Sequence, residues 1–431
     1  MLNSMKHVLI FTYYFPPAGG VAVQRWLKFT KYLPENGWLP IVVTVKDGSY
    51  PYLDESLEKE IDSRVEVHKT DTFEPFEIYN LLRGKKGKQL PTAMLDNAAS
   101  KSFFQKAAEF VRANFFIPDA RKGWVKYAVS EGARIIQSKK IDAIVTTGPP
   151  HSTHLIGMML QKQFGIKWIA DFRDPWTSIF TNTFLPRTNW AKQQDQQLET
   201  AVLRRADCVT VIGPSMQKEF QNRAKRIEVI WNGFDEADIV VATAEIRNPV
   251  FTIRYVGNLF ASQTAPAFWK AVARLRKEEN AKLKIEFTGR VDESVKQIII
   301  QTGVEDAVSY NDFVPHIEAV QLMCSADALL FAVPAVPNSE RIITGKIFEY
   351  LATQKPILAF GPLSGDAAKL LQECGRVSMC DFEDNASAFA QLKLHYENFI
   401  GKTPVAYNNT YQKFSRQNQA EEFVKVLEGL S

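Results

Sequence analysis

Short apolar runs recur along this chain. Most empty into a loop rich in glycine, proline or asparagine, and a stretch with helical spacing commonly follows. The first run occupies residues 7–12 and leads into Tyr13-Tyr14-Phe15-Pro16-Pro17-Ala18-Gly19-Gly20. Helical spacing over residues 21–33 then offers Val23, Trp26, Leu27 and Tyr32 for burial, and a second run follows at 40–45. A strand that is apolar throughout, rather than alternating, is covered on both faces, which is the environment of a parallel sheet. Strand, loop, helix and strand in that order open a doubly wound α/β sheet. Runs at 65–68, 141–147, 167–170, 207–212 and 227–231 continue the first series.

A second series begins at 251–256 and continues with the strand and loop at 282–290, then 308–313, 326–331 and 357–360. Between the two lie Asn232-Gly233-Phe234-Asp235 and a polar, aperiodic stretch at 236–249 that reads as a linker. With 431 residues the chain is long enough for two such domains. The fold class is therefore α/β, with two Rossmann-like domains. The divisions are 1–235, 236–405 and a final segment, 406–431, whose apolar period places Phe414, Phe423, Val426 and Leu427 on one helix face.

Ligands of such sheets sit beyond the carboxyl ends of the strands. Gly19 and Gly20 stand there after the first strand and allow close backbone approach, although a tight turn would use them equally. Arg25, in the first turns of the next helix, points either to that end of the sheet or to solvent. The 141–147 strand ends at Gly148-Pro149-Pro150-His151-Ser152-Thr153-His154, which places His151 for work on a substrate. The strand at 167–170 feeds Asp171-Phe172-Arg173-Asp174-Pro175-Trp176. Two carboxylates bracketing an arginine either fix a loop or present charge to a ligand. In the second half, Gly257 and the Gly289-Arg290 pair end strands in the same way.

Residues 339–362 concentrate chemistry. Gly345 precedes a helical pattern with Ile347, Phe348, Leu351 and Ala352 on its apolar side, stopped by Lys355-Pro356. Lys346 and Glu349, three apart, are neighbours on a helix. A glycine-led helix start suits a diphosphate, Lys346 adds a point charge, and a carboxylate one turn on can hold a ribose diol. The same spacing also fits an ordinary surface pair.

Gly345-Lys346-Ile347-Phe348-Glu349-Tyr350-Leu351-Ala352, followed by Lys355-Pro356-Ile357-Leu358-Ala359, resembles the nucleotide-sugar motif of family 4 glycosyltransferases. The Pro-Pro…Gly-Gly loop, the Gly-Pro-Pro-His-Ser loop, the Asp-Phe-Arg-Asp-x-Trp segment and Asn232-Gly233-x-Asp235 are similar to phrases of the same family. The resemblance implies GT-B architecture, two Rossmann-like domains facing a central cleft, with the last helix packing back on the first domain. It implies transfer of a hexosyl or N-acetylhexosaminyl group from a UDP- or GDP-type sugar to a hydroxyl of a glycan or lipid-linked acceptor. Retention of anomeric configuration, no metal and no resident cofactor, and a part in cell-surface polysaccharide synthesis come with it.

On that resemblance Glu349 holds the nucleotide ribose. Glu340 is nearest to the family's sugar-facing acid, with Arg341 at the expected position instead. Gly19, Gly20, Gly257, Arg290, Gly345 and Lys346 complete the donor side. His151, Asp171 and Asp174 are the catalytic candidates, with Arg25 and Arg173 lining the acceptor side. Many relatives place an arginine and a lysine after the glycine that is Gly257 here. This chain has Asn258, so phosphate charge falls to Arg341, Lys346 or Arg290.

A net charge of +4 gives no argument for nucleic acid. Cys208, Cys324, Cys374 and Cys380 form no CxxC and read as reduced thiols. No run approaches the roughly 20 apolar residues of a membrane span, and the N-terminus lacks a signal-peptide run. A cytoplasmic protein is expected. The basic cluster at 83–88, beside Phe103, Phe104, Phe110, Phe115 and Phe116, suggests peripheral contact with the inner membrane face, or a solvated loop before a packed helix. Two rival functions share these features: a nucleotide-sugar epimerase on the same scaffold, and a non-catalytic nucleotide- or glycan-binding protein.

Overall fold

A computed structural model describes residues 5–50, 52–73, 103–240, 248–376, 378–405 and 407–430. The chain forms two compact units, residues 1–232 with 416–431, and residues 233–415. The basic cluster at 83–88 lies outside the described residues.

In the first unit β1 (Lys6–Phe11), β2 (Trp38–Val45), β3 (Glu66–Thr70), β4 (Ala143–Gly148), β5 (Trp168–Phe172), β6 (Cys208–Val211) and β7 (Ile227–Val229) form one sheet. Its order is β3-β2-β1-β4-β5-β6-β7, and the pairings are parallel. Strand β1 sits between β2 and β4, with Val8 opposite Pro40 on one side and Ala143 on the other. Val8, Leu9, Ile10 and Phe11 have no exposed surface, as a strand covered on both faces requires. Each such side chain contributes about 1.5–3 kcal/mol of burial. The strand order reverses between β1 and β4. The loops leaving the ends of those two strands therefore flank the place where doubly wound sheets take ligands.

The helix Val21–Tyr32 buries Val23, Trp26, Leu27 and Phe29. The closing helix, Arg416–Glu428, packs on it within the same unit: Trp26 and Phe423 meet edge to face at 5.2 Å. Phe423, Val426 and Leu427 share its buried face as the apolar period predicts. Phe414 does not, because the helix starts only at Arg416. It sits on the preceding 3₁₀ turn Asn409–Phe414 and meets Phe348 in the second unit at 5.4 Å. Gly157, on the helix Thr153–Phe164, lets that helix lie on Trp168: a Cβ there would stand 2.2 Å from the indole nitrogen.

In the second unit β8 (Phe251–Val256), β9 (Leu283–Thr288), β10 (Val308–Asn311), β11 (Ala328–Ala332) and β12 (Ile357–Phe360) form a parallel sheet in the order β10-β9-β8-β11-β12. Here the reversal falls between β8 and β11, which puts Gly257 at the ligand end of the sheet. The stretch read as a linker begins with a short helix, Glu236–Val240, that is anchored by Asp238 on His316 at 3.2 Å. Among the described residues no helix is long and apolar enough to cross a membrane.

Candidate functional site

In the first unit the Asp-Phe-Arg-Asp segment divides sharply. Asp171, on β5, has no exposed surface and both carboxylate oxygens are taken. Arg25 donates Nη2–H to Oδ1 at 2.9 Å and Nε–H to Oδ2 at 3.2 Å. Trp26 and Thr147 donate to Oδ2, and Thr210 to Oδ1, at 2.8–2.9 Å. Burial alone would raise the Asp171 pKa. Arg25, Thr210 and Trp26 outweigh it and hold the carboxyl below its usual range. Arg25 spends its remaining donors on the carbonyls of Ile230 and Trp231. Asp171 is thus not a catalytic group, nor is Arg25 an acceptor-side one. Together they tie Val21–Tyr32, β5 and the end of β7 into one scaffold. Arg173 is likewise buried and donates to the carbonyls of Ala22, Gly148 and Pro149, so the acceptor-lining role falls away there too.

Asp174 is different. It is half-buried, and among the described residues no donor reaches its carboxylate. Burial pushes its pKa up to about 6, against the opposing pull of Arg173. His151, at the end of β4, stacks face to face on Trp176 with centroids 5.1 Å apart. Its Nδ1 is buried without a hydrogen-bond partner. Burial, then His154 and Arg173, drive its pKa well below the ordinary histidine range, while a backbone hydrogen bond at Pro175 opposes them. The ring is neutral at pH 7. His154 is fully buried, bonded to Thr146 at 2.9 Å and stacked on Phe172 at 4.3 Å, a core residue.

Two features that hold this corner in shape carry no sequence motif of their own. Asp119 accepts from the Ser152 N–H and Oγ–H, both at 2.8 Å, which pins the residue next to His151. Asp195 and Glu199, one turn apart on the helix Asn189–Arg205, accept from Trp176 Nε1 at 2.6 Å and from Thr177 N and Oγ1 at 2.8 and 2.9 Å. Asp119 and its partner Ser152 are 33 positions apart, so nothing local signals the pair.

Gly20, the residue before Val21–Tyr32, has a φ of +89° that favours glycine, and it is exposed. Gly19 is not open to a ligand: a Cβ there would lie 3.0 Å from the Cβ of Asp54, so its bareness serves packing on residues 52–54.

In the second unit the ends of β8 and β9 and the start of the helix Lys346–Ala352 converge. Gly257 has φ +109° and Gly289 φ +112°. A Cβ on Gly289 would meet the Gly257 carbonyl oxygen at 2.9 Å. A Cβ on Gly257 would meet Lys346 Nζ at 3.1 Å. The Lys346 ammonium lies 3.6 Å from the centroid of the Tyr255 ring and has no ion-pair partner among the described residues. Burial lowers its pKa to about 7, against the raising effect of Glu349. Tyr350 anchors this helix by accepting the Val256 N–H at 3.3 Å. The Glu349 carboxylate is half-buried and likewise unpaired among the described residues.

The helix start itself is less open than its glycine suggests. Ile347 and Phe348 donate their N–H groups to the carbonyls of Thr344 and Gly345, and Gly345 has an ordinary right-handed conformation. With seven residues the helix is also short, so Lys346 rather than a helix end supplies the positive charge. Arg290 is exposed, and its N–H donates to Asn258 Oδ1 at 3.3 Å. Glu340 and Arg341 sit on the turn Ser339–Arg341 and face each other at 3.5 Å, both partly exposed.

Comparison with known proteins fits this architecture. Residues 96–233 match the model described as a glycosyl transferase 4-like domain. The fold resembles a sucrose-phosphate synthase of Thermosynechococcus elongatus (14% identity, 99% of each chain, TM-score 0.61). It also resembles HepE of Anabaena, solved in complex with UDP and glucose (14% identity, 98% of this chain and 100% of that one, TM-score 0.57). An alpha,alpha-trehalose-phosphate synthase (UDP-forming) of Burkholderia vietnamiensis is a third (10% identity, 99% of each, TM-score 0.60). No curated protein matches the chain. The fold is that of GT-B glycosyltransferases. The matched stretch, residues 96–233, agrees with the family that the motifs resemble.

Proposed function

We propose that this protein transfers a sugar from a UDP- or GDP-type donor to a hydroxyl of a glycan or lipid-linked acceptor, with retention and without a metal. The observation that carries the reading is Lys346. Among the described residues its ammonium is partnered by no carboxylate; it lies against the bare backbone of Gly257 at the ligand end of the second sheet, and Glu349 is three residues further on. Lys346 meets the donor diphosphate and Glu349 accepts from the ribose hydroxyls, with Gly257 leaving the ammonium uncovered and Gly289 letting its loop pack on Gly257.

In the reaction the bond from the anomeric carbon to the phosphate oxygen breaks, and its electron pair goes to the nucleoside diphosphate. The acceptor oxygen bonds to the same carbon and its proton leaves with the phosphate. A fixed cation at the developing charge lowers that barrier. His151, neutral, and Asp174, ionised above about pH 6, are the groups of the first unit suited to orient an acceptor hydroxyl. A cytoplasmic site at the inner membrane face, in polysaccharide synthesis, suits a lipid-linked acceptor.

The test is a panel of UDP- and GDP-sugars with and without glycan and lipid-linked acceptors, following nucleoside diphosphate release and sugar transfer. Transfer that requires the acceptor supports the reading. Conversion of the donor to another nucleotide sugar with no acceptor present would instead mark an epimerase, and binding with no turnover a binding protein. Full activity in His151→Ala would remove that residue from the reaction.

A further inference from the structure

Tyr255 lies on β8, one residue short of its end, and is 1% exposed. Its two ends do separate things. The ring face carries the Lys346 ammonium at 3.6 Å, and the hydroxyl donates to the Asn258 carbonyl at 2.9 Å, which fixes the loop that Gly257 begins. Nothing in the sequence motif marks this residue, because the ammonium that it carries is 91 positions away.

We propose that Tyr255 is a positioning residue for the donor diphosphate: its ring holds the Lys346 ammonium in place of a carboxylate partner, so that the positive charge stays uncommitted until an anion arrives. The proposal rests on the donor reading above. A carboxylate at this spot would pair with the ammonium and compete with phosphate. A ring face attracts the cation without neutralising it. Among the described residues the groups acting on the ammonium are the Tyr255 ring on β8 and the Glu349 carboxylate on its own helix. Glu349 acts at longer range, raising the affinity of the amine for its proton, while burial lowers it to about 7. With a pKa of about 7 the group titrates near neutrality, and a diphosphate beside it favours the ammonium. Binding takes up protons at pH 8.

The experiment is calorimetric titration of UDP and GDP between pH 6 and 9, in buffers of different ionisation enthalpy. Wild-type protein and Tyr255→Phe, which keeps the ring face, are both expected to take up protons at pH 8 and to weaken as pH rises through 7. Tyr255→Met stays apolar in this buried place but is smaller and has no ring face. It is expected to bind on the order of tenfold more weakly, with the inflection near pH 7 displaced. Tyr255→Leu serves if the Met variant does not fold. Lys346→Arg is expected to remove the proton uptake and the inflection, since guanidinium does not titrate in this range. In a Lys346→Met background the further change of Tyr255 to Met is expected to cost nothing more.

Wild-type affinity and an unmoved pH profile in Tyr255→Met would overturn the proposal. So would an undiminished effect of that change in the Lys346→Met background. If wild-type protein binds neither nucleotide, the donor reading itself fails, a distinguishable result.

Discussion

Arg25 and Asp171 face each other 146 positions apart in sequence, guanidinium to carboxylate at 2.9 and 3.2 Å, with 2% and 0% of their side chains exposed. Three further donors complete the carboxylate, so the pair is a knot in the scaffold of the first unit. Removing one partner leaves the other buried and uncompensated. Arg25→Met is expected to lower unfolding free energy by about 3–5 kcal/mol. Asp171→Asn, which keeps an acceptor oxygen, is expected to cost less. Urea unfolding measures both. Unchanged stability with lost activity in Arg25→Met would return the pair to the chemistry.

Asp174 binds its proton more tightly when folded (about 6) than its ordinary value of 3.8. The folded state therefore holds more protons across that window. Its favourable contribution is complete below about pH 4 and is lost as pH rises through 6. Asp174→Asn is expected to raise stability at pH 7.5 by about 1–2 kcal/mol, discounted for the group's partial exposure, and to change nothing at pH 4. The same variant is expected to transfer sugar at least about tenfold more slowly. Unfolding curves at both pH values, beside rates, check this; equal effects at both pH values would contradict the shifted carboxyl.

The Glu349 carboxylate has no hydrogen-bond partner to lose among the described residues, so Glu349→Gln is expected to leave the melting temperature in place. Nucleotide affinity is expected to fall about tenfold to a hundredfold, the loss of charge-assisted bonds to two hydroxyls. Calorimetry with UDP and GDP decides it, and unaltered affinity would end the ribose assignment.

Asp119 holds Ser152 through two hydrogen bonds and the Arg121 N–H through a third, at 2.9 Å. Asp119→Ala is expected to cost about 1–3 kcal/mol and to slow transfer by freeing the His151 loop. Ser152→Ala, which keeps the backbone bond, is expected to do less. Comparing kcat and stability for the two separates loop positioning from general destabilisation; identical kcat in Asp119→Ala and wild type would do away with the positioning role.

Much of the fold was legible because buried parallel strands are apolar throughout. Residues 8–11, 41–43, 144–145 and 253 onward declare themselves by composition, and the glycines after them mark the loop ends. The motif around Lys346 and Glu349 was legible because its members are neighbours on one helix.

The roles of charged residues were not legible, since a charge shows what it can do but not what lies opposite. Asp171 and Asp174 stand three residues apart in one motif, yet strand pleating and the strand end send them to different fates. One meets Arg25 and Trp26, Thr147, and Thr210 from three separate segments; no donor among the described residues reaches the other. Period and spacing, which are local, fixed the strands, the helices and the loops that end them. Which charges were consumed by the scaffold and which stayed available, Arg25 against Lys346 and Asp171 against Asp174, was decided by contacts across the sheets. Desolvation and long-range pairing act only once distant segments have met.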